Sequence, residues 1–208
     1  MIMQFNLPTY LTLLRILLIP VLVALFYLPW SAAHAASAVV FTVAALTDWL
    51  DGYLARRLGL TTRFGAFLDP VADKLMVAVT LVLIVQADPS PLVAVSASVI
   101  IGREITISAL REWMAEIGQR KKVEVSRLGK WKTTAQMVAI ILLLLGMDLW
   151  RQPMQNAGQV LLFVAAVMTL WSMGIYLRAA LPSLSDHREG LTSQPPINRL
   201  SPSESVRE

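Results

Sequence analysis

Residues 47–74 read TDWLDGYLARRLGLTTRFGAFLDPVADK and lie between two long apolar segments. Four aspartates (Asp48, Asp51, Asp69, Asp73), three arginines (Arg56, Arg57, Arg63) and three glycines (Gly52, Gly59, Gly65) crowd into this stretch. Asp48 and Asp51 are three apart and Asp69 and Asp73 four apart, so on helices each pair shares a face. Gly59 and Gly65 mark the turn between them. Two helices joined in this way bring both pairs together. Carboxylates held about 5 Å apart repel by about 3 kcal/mol per pair at an effective dielectric near 20. Such a group takes up protons or is neutralised by cations, and ligands offering only oxygen favour a hard ion such as Mg²⁺ or Mn²⁺.

Composition shows where this hairpin lives. Of 208 residues, 56% are hydrophobic and 15% charged, and the mean hydropathy is +0.60, too apolar for a water-soluble domain of this length. The formal charge of +4 does not point to nucleic acid, because the basic residues cluster in short loops between apolar runs, where anionic lipid headgroups explain them. The chain has no cysteine, so disulfides and thiolate metal sites are excluded.

With roughly 20 residues needed to span a hydrocarbon core, six apolar runs qualify: Tyr10 to Leu28, Ala33 to Ala55, Val71 to Gln86, Pro91 to Trp113, Thr133 to Leu149 and Ala157 to Leu177. They are continuous rather than alternating, which predicts an all-α, six-transmembrane-helix bundle rather than a barrel. Pro20 falls inside the first run and is expected to kink it. Ala33 and Ala35 form an A-x-A pattern after the first run, but a cleavable signal peptide fits poorly because no basic residue precedes Arg15.

Arg56, Arg57 and Arg63 occupy one inter-span loop, and Arg120, Lys121, Lys122, Arg127, Lys130 and Lys132 the next alternate one. The opposite loops carry only Arg151. The basic loops, the aspartates and both termini are therefore expected on the cytoplasmic side. From Pro182 the chain turns polar and rich in Ser and Pro, which predicts a domain over residues 1–181 and a disordered tail over 182–208.

The plain reading of the aspartates is capping, or pairing with the neighbouring arginines. For Asp69, followed by Pro70, an N-cap is a sound assignment on its own. Four aspartates at two helical spacings make it the weaker explanation of the set. Gly52 and Ala55 also leave room beside Asp51 for a ligand or helix to approach closely. A divalent-metal site at a membrane surface suits a phosphate-bearing lipid as substrate.

The residues Asp48, Asp51, Gly52, Ala55, Arg56, Gly65, Asp69 and Asp73 fill every fixed position of D-x2-D-G-x2-A-R, a spacer, G-x3-D-x3-D. This pattern closely resembles the signature of the CDP-alcohol phosphotransferases. The stretches NLPTYLTLLRILLIP (6–20), REITISALREWMAE (103–116) and SRLGKWKTTAQM (126–137) are similar to bacterial members that use glycerol 3-phosphate. The likeness covers about residues 1–181. It implies that Asp48, Asp51, Asp69 and Asp73 hold two divalent ions, Mg²⁺ or Mn²⁺, gripping the diphosphate of CDP-diacylglycerol. Gly52 and Arg56 match positions that meet the cytidine nucleotide and diphosphate, with Ala55 the small residue between them. Asp73 matches the general base that activates the 1-hydroxyl of sn-glycerol 3-phosphate. The resemblance also implies a homodimer in the bacterial inner membrane.

Arg103 and Arg111 are eight apart, within about 80° of each other around a helix, and Lys130 and Lys132 precede the fifth run. Buried arginine needs a partner or water. One reading pairs Arg103 with a carboxylate such as Glu104 of another helix; the other makes the four a pocket for the acceptor's phosphate. Arg15, in an otherwise apolar run, is expected to snorkel or face the bundle. His34 and His187 are isolated in sequence and suggest neither a metal nor a catalytic pair. Most of the six Trp lie near span ends, as interfacial anchors do. A polytopic prenyltransferase would also use aspartate pairs and Mg²⁺ but would release pyrophosphate, and a cation transporter would set its carboxylates near mid-bilayer.

Overall fold

The computed structural model describes residues 7–58, 63–116, 128–148 and 151–192, all of them helical or in short connections between helices. Six helices follow one another: α1 (Leu7–Phe26), α2 (Ala33–Leu58), α3 (Arg63–Ala87), α4 (Pro91–Glu116), α5 (Leu128–Asp148) and α6 (Arg151–Thr192). Four stretches are long and apolar enough to cross a membrane: Thr9–Phe26, Ala33–Leu50, Pro91–Glu116 and Gln152–Ile175. Thr133–Asp148 is a shorter apolar helix. The chain is thus an all-helical, multi-pass membrane protein.

The neighbours α1 and α2, α3 and α4, and α5 and α6 pack together, and α1 also lies against α3, α5 against α2, and α4 against α6. The core is aliphatic, built on Leu22, Leu81, Ile84, Ile100, Ile140, Leu143, Leu144 and Leu162, with Phe41 as its large aromatic. Lipid tails are as apolar as these side chains, so close backbone approach rather than hydrophobic exclusion holds such helices together. Ala38, Ala44, Ala72, Ala97, Ala139 and Ala165 accordingly sit at buried contacts. Among the described glycines the closest approach joins α5 to α6: a Cβ on Gly158 would stand 2.8 Å from Leu143 Cγ, and one on Gly146 would stand 2.9 Å from the Gln155 backbone nitrogen. The outer surface carries large apolar side chains such as Trp171, Phe67, Leu17 and Val160, as a lipid-facing surface requires.

Helix boundaries set aside one alternative and correct three expectations. α3 begins at Arg63, six residues before Asp69, so Asp69 lies within the helix and is not its N-cap. Gly65 belongs to α3 rather than to the turn, while Gly59 lies outside the described residues. Lys130 and Lys132 fall in the first turns of α5 rather than in a loop ahead of it. α6 continues to Thr192, past the position where composition turns polar, and residues 193–208 lie outside the described part. α1 runs on through Pro20 without ending, although the ring removes one backbone donor there.

Candidate metal and phosphate site

Helix geometry sets three aspartates and one arginine at a common level. Arg15 lies eight residues into α1, Asp48 ten residues before the end of α2, and Asp69 and Asp73 six and ten residues into α3. At 1.5 Å per residue all four stand about 9–15 Å from the same end of the bundle. One oxygen from each of Asp48, Asp69 and Asp73 can be chosen so that all lie within 4.8 Å of one another. Arg15 Nη1 reaches Asp48 Oδ1 at 3.1 Å and Asp69 Oδ1 at 3.2 Å, and it donates to Asp73 Oδ1 as well. The three carboxylates are partly open, whereas the Arg15 side chain is only 2% exposed. Arg15, Asp48 and Asp73 themselves line a small cleft, together with apolar side chains that include Phe41, Met76 and Met137.

The donor set fits a hard divalent cation. Three carboxylates against one guanidinium formally leave two negative charges in excess, and an octahedral ion with bonds of about 2.1 Å asks for oxygens about 3–4 Å apart, close to the spacing present. The cluster of Asp48, Asp69 and Asp73 can therefore bind a metal. Asp51 and Arg56 are carried on α2 beyond Asp48, but their side chains, and that of Ala55, lie outside the described residues. Gly52 follows one turn after Asp48 and is half-buried.

Of the four basic residues, the side chains of Arg103 and Arg111 are described. Arg103 is 8% exposed and pairs with Glu104, its own neighbour on α4 and not a carboxylate from another helix. Its Nε is buried and finds no hydrogen-bond partner among the described residues. Arg111 is exposed, about 8 Å from the end of α4 that meets the start of α3. The side chains of Lys130 and Lys132 lie outside the described residues.

Three residues enter that sequence reasoning undervalued. Arg15 faces the bundle, as one reading expected, but its partners are the aspartates; the signal was a lone cation in an apolar run. Lys74, adjacent to Asp73, donates to Ser108 Oγ, and Ser108 Oγ donates to the Glu104 carbonyl at 2.6 Å, tying α3 to α4 beside the Arg103–Glu104 pair. His34 is not isolated: its Nδ1 lies 2.5 Å from Asp148 Oδ1, at the other end of the bundle.

The comparisons with known proteins agree with this arrangement. The family model described as CDP-alcohol phosphatidyltransferase matches residues 5–171. A protein of Salmonella choleraesuis (strain SC-B67) is 57% identical over 184 residues, 88% of this chain and 100% of its own length. One of Escherichia coli (strain K12) is 56% identical over the same extent. Both are named CDP-diacylglycerol--glycerol-3-phosphate 3-phosphatidyltransferase. With the signature complete, three of its aspartates converging from two helices and the match running over most of its length, this chain belongs to the CDP-alcohol phosphatidyltransferase family.

Proposed function

We propose that the protein transfers the phosphatidyl group of CDP-diacylglycerol to sn-glycerol 3-phosphate, giving phosphatidylglycerophosphate and CMP in the synthesis of anionic phospholipid. The observation that carries this reading is the convergence of Asp48, Asp69 and Asp73 from α2 and α3 at one end of a membrane bundle. The names of relatives 56–57% identical across their whole lengths support the choice of donor and acceptor.

Asp48, Asp51, Asp69 and Asp73 would hold two divalent ions, Mg²⁺ or Mn²⁺. When bound, these supply Lewis acidity and neutralise charge on the diphosphate oxygens. Gly52 and Ala55 leave room for the nucleotide, and Arg56 contacts its diphosphate. Asp73 accepts the proton of the acceptor's 1-hydroxyl as that oxygen forms a bond to the β-phosphorus. The bond from this phosphorus to the bridging oxygen breaks, and CMP leaves with the electron pair. Arg103, Arg111, Lys130 and Lys132 bind the acceptor's phosphate; the buried Arg103 Nε without a described partner supports an anion there.

The reading places six spans in a bacterial inner membrane, with the aspartates and both termini cytoplasmic. It takes residues 1–181 as the catalytic domain, 182–208 as a dispensable tail, and a homodimer as the assembly. Impermeant labelling of single cysteines tests the orientation: a cysteine at Lys121 should react only from the cytoplasmic side and one at Pro89 only from the opposite side. For the reaction, purified protein is given CDP-diacylglycerol, Mg²⁺ and a panel of glycerol 3-phosphate, inositol phosphate and serine. CMP should appear with glycerol 3-phosphate. Release with another alcohol alone would move the acceptor assignment, and pyrophosphate from a prenyl diphosphate would move the protein to a different chemistry.

A further inference from the structure

Arg15 touches all three described aspartates and has no part in the reaction as set out above. Its Nη1 meets the Oδ1 of each of these carboxylates. The exposures give the arrangement a direction: the Asp48, Asp69 and Asp73 side chains are 37%, 41% and 34% exposed, and the Arg15 side chain 2%. The guanidinium thus stands behind the carboxylates, on the bundle side, while solvent and ligand reach them from the front.

We infer that Arg15 is a resident counter-cation of the carboxylate cluster, which stabilises the converged aspartates when divalent ions are off and weakens the hold on those ions when they are on. This rests on the metal-binding reading of the cluster. Two physical facts support it. Without a nearby positive charge, carboxylates from two helices at this spacing would repel one another in a poorly solvated place. A fixed positive charge sharing their oxygens also repels any cation that they ligate. Guanidinium suits the role because it stays charged, and its Nη1 alone meets an oxygen of each of the three carboxylates. The consequence for catalysis is reversibility: the aspartates can release and rebind ions between turnovers without the two helices separating. Arg15 is therefore a positioning residue that acts through the aspartates.

The test titrates Mn²⁺ into purified full-length protein without substrate, following free Mn²⁺ by electron paramagnetic resonance, and measures thermal unfolding in chelator and in saturating Mn²⁺. Arg15→Gln should bind Mn²⁺ at least tenfold more tightly than the wild type. Arg15→Lys, whose shorter side chain keeps a more distant charge, should bind about threefold more tightly. In chelator Arg15→Gln should unfold at a lower temperature than the wild type, and saturating Mn²⁺ should close that gap. Unchanged or weaker Mn²⁺ binding in both variants overturns the inference, as does an unfolding gap that is equal with and without the ion, which would mark Arg15 as a packing residue. If Arg15→Gln does not fold, the Arg15→Lys titration decides alone, and no tightening there is a failure. Wild type that binds no Mn²⁺, or binds it as well after Asp69→Asn, would sink the metal reading itself.

Discussion

The two ends of the bundle use the same side chain in opposite ways. At one end Asp48, Asp69 and Asp73 crowd around a single guanidinium. At the other, Asp148 and Asp88 stand apart, each satisfied by its own donors. Asp148 accepts from the Ala35 backbone nitrogen at 2.8 Å, capping the first turn of α2, and meets His34 through its other oxygen. Asp88 accepts from Gln155 at 3.0 Å and Gln159 at 2.8 Å, joining the end of α3 to the start of α6. Tyr27 donates to Gln86 in the same layer. A carboxylate met by amide donors and a helix N-terminus needs no further partner. Carboxylates that share one cation do, and that difference separates an end whose carboxylates are satisfied from one whose carboxylates can take a metal.

The sharpest way to break the contrast is to neutralise one carboxylate at each end. Asp69→Asn and Asp48→Asn should each lower kcat/KM by about a hundredfold to a thousandfold, in line with the loss of one preorganised electrostatic group, and chelation should abolish turnover until Mg²⁺ or Mn²⁺ is restored. Normal activity in excess chelator would remove the distinction altogether. Asp148→Asn should keep kcat within about twofold and cost only about 1 kcal/mol of stability, the size of a lost cap, measured by denaturant unfolding.

A somewhat smaller effect separates donor from acceptor. Arg111→Ala or Lys132→Ala should raise KM for glycerol 3-phosphate by about tenfold to a hundredfold, matching one charge-assisted contact of about 1.5–3 kcal/mol, while KM for CDP-diacylglycerol stays put. Equal weakening of both substrates would assign these charges to headgroup binding instead. Next comes packing: Gly158→Ala should destabilise by about 1–3 kcal/mol through overpacking against Leu143, with steady-state constants unchanged in the protein that remains folded. Least of all, truncation after Leu181 should leave activity largely intact, because residues 182–208 carry few apolar side chains with which to pack.

Much of this was written locally. Continuous apolar runs require helices, since lipid offers backbone groups no other partner, and the aspartate spacings of three and four place each pair on one helix face. The eight-residue signature carried the family. Where one helix ended and the next began was less legible, because Asp-Pro at 69–70 looks like a helix start until α3 is seen to begin at Arg63. Propensity cannot say whether a proline opens a helix or is tolerated within one; neighbouring helices decide that.

What the sequence by itself determined is the helical membrane class, the carboxylate pairs and the chemistry open to them, all set by neighbours a few residues apart along the chain. Only the tertiary structure decided which charges meet. Arg15 lies 33 residues from Asp48 and 58 from Asp73 in sequence, and His34 lies 114 from Asp148. No periodicity links such positions. They come together because α1 packs against both α2 and α3 and α5 against α2, and because a charge buried in an apolar bundle is stable only beside a partner.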